Sequence, residues 1–184
     1  MLIETDRLLM RPVTRDDLPT MLRFRADPEV SRYLGGPAMS TPEFVARRFD
    51  FYLDCHRRRG IGMCALMRKP DTEMIGWAGL QPLEESGEIE VGYGFDRPHW
   101  GQGYATEAAN AWLRYGFETV GLERIVAVAV PENKGSRRVM EKLGMKYERN
   151  AMHYGIDCAF YAIRREEFTP LAGFYEVRDE SSGQ

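Results

Sequence analysis

The hydrophobic and polar positions of the chain alternate between a two-residue and a 3.6-residue period, and the changes of period mark its elements. Residues 7–13 (RLLMRPV) read as a first strand, with Pro12 confined to an edge position because it cannot donate to a ladder. Thr14, followed by Asp16 and Asp17, predicts the cap and acidic first turn of a short helix running to about Arg25. Asp27-Pro28 and Gly35-Gly36-Pro37 are turn punctuation. Thr41 can cap a second helix whose first position suits Pro42. Val45, Phe49, Tyr52, Leu53 and His56 fall on one of its faces, Arg57, Arg58 and Arg59 complement its dipole, and Gly60 stops it.

Strand-like composition then covers residues 61–67, 74–83 and 88–95, and the short connections imply antiparallel neighbours. After Gly101-Gln102-Gly103, a helix is predicted over 104–120, with Ala105, Ala108, Ala109, Trp112, Gly116 and Val120 as its buried stripe. Residues 124–130 (RIVAVAV) read as a strand buried on both faces. A helix over 134–143 stops at Gly144, and 145–154 with 157–164 predict a closing hairpin around Gly155. From Thr169 the pattern is lost, so 1–168 is expected to form one domain and 169–184 a poorly ordered tail. The sum is an α+β fold with a mixed, mostly antiparallel sheet of six to seven strands flanked by helices.

A length of 184 residues fits one domain. The 25 basic and 28 acidic side chains give a net charge of −3, which argues against a strongly basic nucleic-acid footprint. Apolar residues make up 43% and charged ones 29%, the balance of an ordinary globular domain. Cys55, Cys64 and Cys158 form no C-x-x-C pair and are odd in number, so neither a disulfide framework nor a zinc site is expected, and a reducing compartment fits best. The longest aliphatic run, 125–130, falls far short of the roughly 20 residues of a membrane span. Residues 1–6 lack a signal-peptide pattern. The expectation is a cytoplasmic protein that engages neither membrane nor nucleic acid. Met10, Met63, Met67 and Met74 are expected to fill the core.

The most informative stretch is 100–108, WGQGYATEA, where a strand end meets a helix start. Gly101 and Gly103 leave bare backbone, and the first N–H groups of the helix have no internal acceptor. Together with the positive dipole end they make an anion site, each dipole contact contributing about 0.3–1 kcal/mol when exposed and up to ~2 when partly buried. The same glycines also suit a plain tight turn. A Walker loop is excluded because no Gly-Lys-Ser/Thr follows, and a dinucleotide fingerprint is disfavoured because G-x-G-x-x-G is incomplete.

Residues 97–108 (RPHWGQGYATEA) resemble the pyrophosphate loop, Gln/Arg-x-x-Gly-x-Gly/Ala, of the GNAT superfamily of acyl-CoA-dependent N-acetyltransferases. They are most similar to the ribosomal-protein N-terminal acetyltransferase-like subgroup. Gly103 and Ala105 match the last two positions, and Trp100 stands where Gln or Arg is usual. Residues 90–95 (EVGYGF) resemble the family's fourth strand, 133–145 (NKGSRRVMEKLGM) its Asn-x-x-Ser…Leu-Gly-Phe helix, and residues 4–12 the subgroup's first strand. The blocks follow family order over about residues 3–168.

The resemblance implies a GNAT-like sheet with splayed fourth and fifth strands. It also implies acetyl-CoA as acyl donor, a primary amine (a protein N-terminus or a small molecule) as acceptor, no metal, and a monomer or homodimer. By the same match, Tyr93, Gly94 and Phe95 would pair with the pantetheine arm. Gly101, Gln102, Gly103, Tyr104, Ala105 and Thr106 would hold the pyrophosphate, Asn133 the pantetheine amide, and Arg137, Arg138 and Lys142 would meet the CoA phosphates or else lie solvated on their helix. Asn133 serves equally as a helix cap. Ser136 is the candidate proton donor to the departing sulfur, or else a plain first-turn residue. Glu90, alone or through water, is the candidate general base, or else an exposed glutamate. Glu88 shares its strand face. His99 suits a phosphate contact or a turn, while His56 and His153 show no partner by spacing. The acidic residues Glu84, Glu85, Glu88 and Glu90 hint weakly at a cationic acceptor. A non-catalytic CoA-binding or interaction domain, or a nucleotide-binding module, are the competing classes.

Overall fold

The computed structural model describes residues 1–84 and 86–178. One sheet of nine strands runs through it. In chain order these are β1 (Leu2–Thr5), β2 (Leu8–Pro12), β3 (Met63–Arg68), β4 (Glu73–Pro82), β5 (Ile89–Phe95), β6 (Arg124–Ala129), β7 (Lys146–His153), β8 (Ile156–Arg164) and β9 (Tyr175–Arg178). The helices are α1 (Leu18–Ala26), α2 (Pro28–Arg32), α3 (Pro42–Arg59), α4 (Tyr104–Arg114) and α5 (Lys134–Lys142). The spatial order is β7-β8-β6-β5-β4-β3-β2-β1-β9, antiparallel throughout except where β5 meets β6.

Two strands exceed the sequence expectation. The opening segment forms a hairpin, β1 against β2, instead of a single strand. Glu107 of α4 pins its turn by accepting from the Thr5 hydroxyl at 2.7 Å and the Arg7 N–H at 2.9 Å. The second extra strand is β9, inside the expected tail, which pairs with β1 from Leu2↔Arg178 to Thr5↔Tyr175. Four residues carry too little periodicity to announce a strand. The segment leading into them is held by tertiary bonds: Leu171 N–H to Asn110 Oδ1 at 3.0 Å and Phe174 N–H to Asp6 Oδ2 at 3.2 Å. The rest of that tail, 179–184, lies outside the described residues.

The sheet is covered on both faces, and the two-residue period of the strands sorts their side chains between them. Cys64 and Leu66 of β3 pack with Ile3, Leu8, Met10, Leu80 and the stripe Ala108, Ala109 and Trp112 of α4. Met63 and Ala65 point the other way, to Phe24 of α1 and Val45 and Phe49 of α3. Thr41 caps α3 by accepting from Phe44 N–H, and Gly60 ends it in the left-handed region at φ 66°. The helix expected to Val120 gives way at Tyr115 to a π turn through Val120. There Gly116 lies so close to β6 and β4 that a Cβ would sit 2.6 Å from Ile125 Cδ1. The wider turn shifts the register, leaving Val120 exposed and Tyr115 and Phe117 buried. Among the described residues, no helix is long and apolar enough to cross a membrane.

Candidate active site

The functional cleft begins where the sheet fails to close. Strands β5 and β6 run parallel and share only the Glu90↔Val126 register before diverging, so the splay implied by the sequence is present. On its other side β5 is paired with β4 along its whole length, from Pro82↔Ile89 to Gly76↔Phe95. Residues 91–95 therefore present one open edge. Gly94 is required there, since a Cβ would lie 2.3 Å from the Trp77 ring, while a Cβ at Gly92 would displace the end of the Met63 side chain, 2.6 Å away.

At the end of that edge the chain turns through Trp100, whose indole N–H donates to Phe95 O at 2.8 Å and fastens the loop to β5. Gly101 and Gly103 take φ values of 74° and 84°, the left-handed region that side chains disfavour. Gly103 caps α4, whose first N–H groups find no acceptor within the helix. A cavity of about 520 Å³ opens here, walled by Gly94, Gly101, Gly103, Tyr104, Ala105 and Thr106 and, across the gap, by Asn133, Ser136, Arg138 and Lys142. Tyr93, Phe95 and His99 also line it.

Most residues singled out for the coenzyme thus converge on one cleft, and two do not reach it. The Gln102 side chain folds back onto Pro98 O at 2.9 Å. Arg137 donates to Tyr161 Oη at 3.0 Å and Pro131 O at 3.1 Å, on the far side of α5 from the cavity that Arg138 lines. Asn133 is a cap, its Oδ1 accepting from Ser136 N–H at 3.0 Å, and it lines the cavity as well. His99 is buried, edge-on to the Tyr104 ring, and its Nδ1 has no partner among the described residues.

A second, smaller cavity of about 150 Å³ lies between the sheet and α1 and α3. Tyr33, Leu34, Tyr93 and Ser136 line both cavities and form their common wall. Within that wall the Tyr93 hydroxyl donates to Ser136 O at 3.1 Å and lies 3.0 Å from Ser136 Oγ. Burial raises the Tyr93 phenol's pKa far beyond its ordinary value, so the phenol stays protonated.

Glu90 lines the small cavity and is only 4% exposed, which overturns the alternative of an exposed glutamate. Its Oε1 accepts from the Tyr154 hydroxyl and from the Gln81 amide. Burial raises the Glu90 carboxyl above the ordinary range, against those two hydrogen bonds and the charge of Arg48. Its strand neighbour Glu88 instead pairs with Arg124 at 3.3 Å. Glu84 accepts from Tyr154 N–H and pairs with His153 Nδ1 at 3.0 Å, so His153 does have a partner. His56 likewise bonds Met63 O at 3.0 Å. The acidic stretch is thus engaged by the protein itself, apart from Glu85, which lies outside the described residues.

Sequence reasoning missed Arg25, Arg48, Gln81 and Tyr154, which surround Glu90's cavity from four separate parts of the chain. No spacing could reveal them, because their proximity is created by the packing of α1 and α3 on the sheet. Cys158 also lines this cavity, its thiol pushed up to about 11 by burial and neighbouring carboxylates.

The chain belongs to the acetyltransferase (GNAT) domain family, whose profile matches residues 7–146. YoaA of Bacillus subtilis (strain 168), an uncharacterized N-acetyltransferase, is 32% identical over 149 residues, 80% of this chain and 84% of YoaA. The crystal structure of an acetyltransferase from Agrobacterium tumefaciens str. C58 is similar at 30% identity and a TM-score of 0.79, over 89% of this chain and 94% of that one. RimL, a ribosomal L7/L12 α-N-protein acetyltransferase in complex with coenzyme A, shares the fold with a TM-score of 0.73 at 19% identity, over 89% of this chain and 98% of that one.

Proposed function

We propose that the chain moves an acetyl group from acetyl-CoA to a primary amine by direct attack on the thioester. The supporting observation is the meeting of two cavities at Tyr93 and Ser136, one running to a glycine-led helix start and the other to a buried carboxyl. The residues fit a CoA diphosphate: bare backbone at Gly101 and Gly103, the unpaired N–H groups of α4, and Arg138 and Lys142 opposite. The open edge of β5 fits the pantetheine amides as an added strand would.

In the reaction the amine lone pair forms the C–N bond as the C–S bond breaks. One proton leaves the nitrogen and one is taken up by the sulfur, giving an amide and CoA thiol. A backbone N–H on β5 near Gly94 serves as donor to the carbonyl oxygen as charge develops there, a contribution typically worth ~2.7–4 kcal/mol of barrier. Glu90, directly or through one water, takes the amine proton. Its raised pKa brings it nearer to the amine, which general-base efficiency favours. The Ser136 hydroxyl supplies the proton to sulfur, with the Tyr93 phenol replenishing or orienting it.

The deciding experiment adds acetyl-CoA and a panel of amines and follows free thiol. Amine-dependent release is expected. Thermal stabilisation by CoA without any such release would identify a non-catalytic binder, and stabilisation by ATP over CoA would identify a nucleotide module.

A further inference from the structure

Arg25 of α1 and Arg48 of α3 both line the small cavity, whose one acidic wall residue is Glu90. Arg48 donates to Gln81 Oε1 at 3.2 Å and lies against the rings of Phe51, Tyr52 and Tyr154 at 4.9, 5.2 and 5.4 Å. Arg25 donates from Nη2 to the carbonyls of Leu34 and Met39, while its Nε is buried without any acceptor. Among the described residues, neither guanidinium has a carboxylate oxygen within the 4.0 Å of an ion pair. By contrast, Arg7, Arg11, Arg23, Arg97 and Arg124 are all so paired. The two cavity arginines are therefore held in place by neutral acceptors and aromatic faces, without a contact ion pair, while the charge of Arg48 also acts on the Glu90 carboxyl.

Two fixed guanidiniums that repel one another, one with an unused N–H, form an anion receptor. In the same cavity, one Gln81 amide away from Arg48, Glu90 offers a carboxyl suited to an ammonium group. The cavity's remaining wall is largely apolar, with Leu34, Met39 and Phe44, and its volume of about 150 Å³ is that of a cavity able to hold a benzene-sized molecule. We infer that the acceptor is a small aminocarboxylate, a free amino acid or close analogue, whose carboxylate is bound by Arg25 and Arg48 while its amine faces Glu90 and the Tyr93–Ser136 wall. The inference rests on the acetyl-transfer reading and narrows its acceptor. A polypeptide N-terminus lacks the α-carboxylate, and a polyamine would add positive charge beside two guanidiniums.

The test compares kcat/KM for free amino acids with that for their carboxamides and for short peptides. In the wild-type protein the free acids are expected to exceed their amides by about tenfold or more, the scale of a lost charge-assisted hydrogen bond. Arg25→Gln and Arg48→Gln are each expected to collapse that ratio, chiefly through KM for the acid, and Arg48→Lys to recover part of it. Amides, peptides or polyamines that match the acids in the wild-type protein would overturn the proposal, whatever the variants do. So would folded variants that keep the ratio.

Should no amine be acetylated, the acetyl-transfer reading fails but the receptor is still read out by calorimetry. N-acetyl amino acids are expected to bind the CoA-saturated protein more tightly than N-acetyl amino amides, and equal or absent binding would overturn it.

Discussion

The hydroxyl of Tyr93 lies 3.0 Å from the hydroxyl of Ser136, across the gap between β5 and the first turn of α5. The pair joins a strand residue to a helix residue 43 positions later, at the wall common to both cavities. If Ser136 gives its proton to the departing sulfur, Ser136→Ala should lower kcat on the order of 10²-fold, a typical loss for one general acid. The affinity for CoA should hardly change. Initial rates of thiol release set against calorimetric CoA binding check this, and unaltered turnover would remove Ser136 from the chemistry.

A second prediction concerns pH. Glu90 must be ionised to accept a proton, and burial has raised its pKa. The acidic limb of kcat/KM should therefore lie above the ordinary carboxylate range, with activity lost as pH falls through it. In Glu90→Gln the rate should drop by about 10² and that limb should vanish, leaving only the ionisation of the amine. A variant profile superimposable on the wild type would reject Glu90 as base.

Gly103 offers a third. Its φ of 84° strains any side chain, at roughly 1–3 kcal/mol, and its backbone lines the larger cavity. Gly103→Val should weaken CoA by about tenfold or more, since each 1.4 kcal/mol is tenfold. The far-ultraviolet circular dichroism should be retained. Undiminished CoA affinity in a folded variant would contradict the loop's assignment.

Acid stability provides a fourth. The Asp17 carboxylate accepts from both Nη atoms of Arg11 at 2.7 Å and from Thr14 N–H at 2.7 Å. Burial opposes ionisation, yet these bonds and the Arg11 charge outweigh it and hold the pKa below its ordinary value. A carboxyl depressed on folding stabilises the fold above its unfolded pKa, and that contribution is lost as pH falls through the folded value. Asp17→Asn should therefore destabilise the protein by ~1–3 kcal/mol at neutral pH, with the difference from wild type shrinking at low pH. Urea unfolding at several pH values measures both, and a constant difference across that range would refute the linkage.

The sequence made the elements along the larger cavity legible because each is local. The turn at Gly101 and Gly103, the cap at Asn133 and the strand bearing Tyr93 are all continuous segments with their own turn or capping chemistry. Even there, the side chain of Arg137 was beyond reach of spacing, since basic residues one position apart on a helix take different faces and only the packing of Tyr161 decides which is free. The small cavity was opaque for a stronger reason. Arg25, Arg48, Glu90 and Tyr154 come from four elements and turns that meet only when both layers pack on the sheet. The burial of Glu90, which transforms its chemistry, arises from Gln81 and Tyr154 and not from its own neighbours in the chain.

The wall shared by the two cavities carries a kinetic consequence. Cys158 is the one thiol lining the small cavity among the described residues, and burial with nearby carboxylates pushes its pKa up to about 11. A ping-pong relay through an acetylated Cys158 is therefore disfavoured at neutral pH. On the proposed reading both reactants are resident together, each abutting Tyr93 and Ser136 from its own side. Double-reciprocal plots of initial velocity should consequently intersect, whereas a family of parallel lines would mean that the acetyl group pauses on the protein.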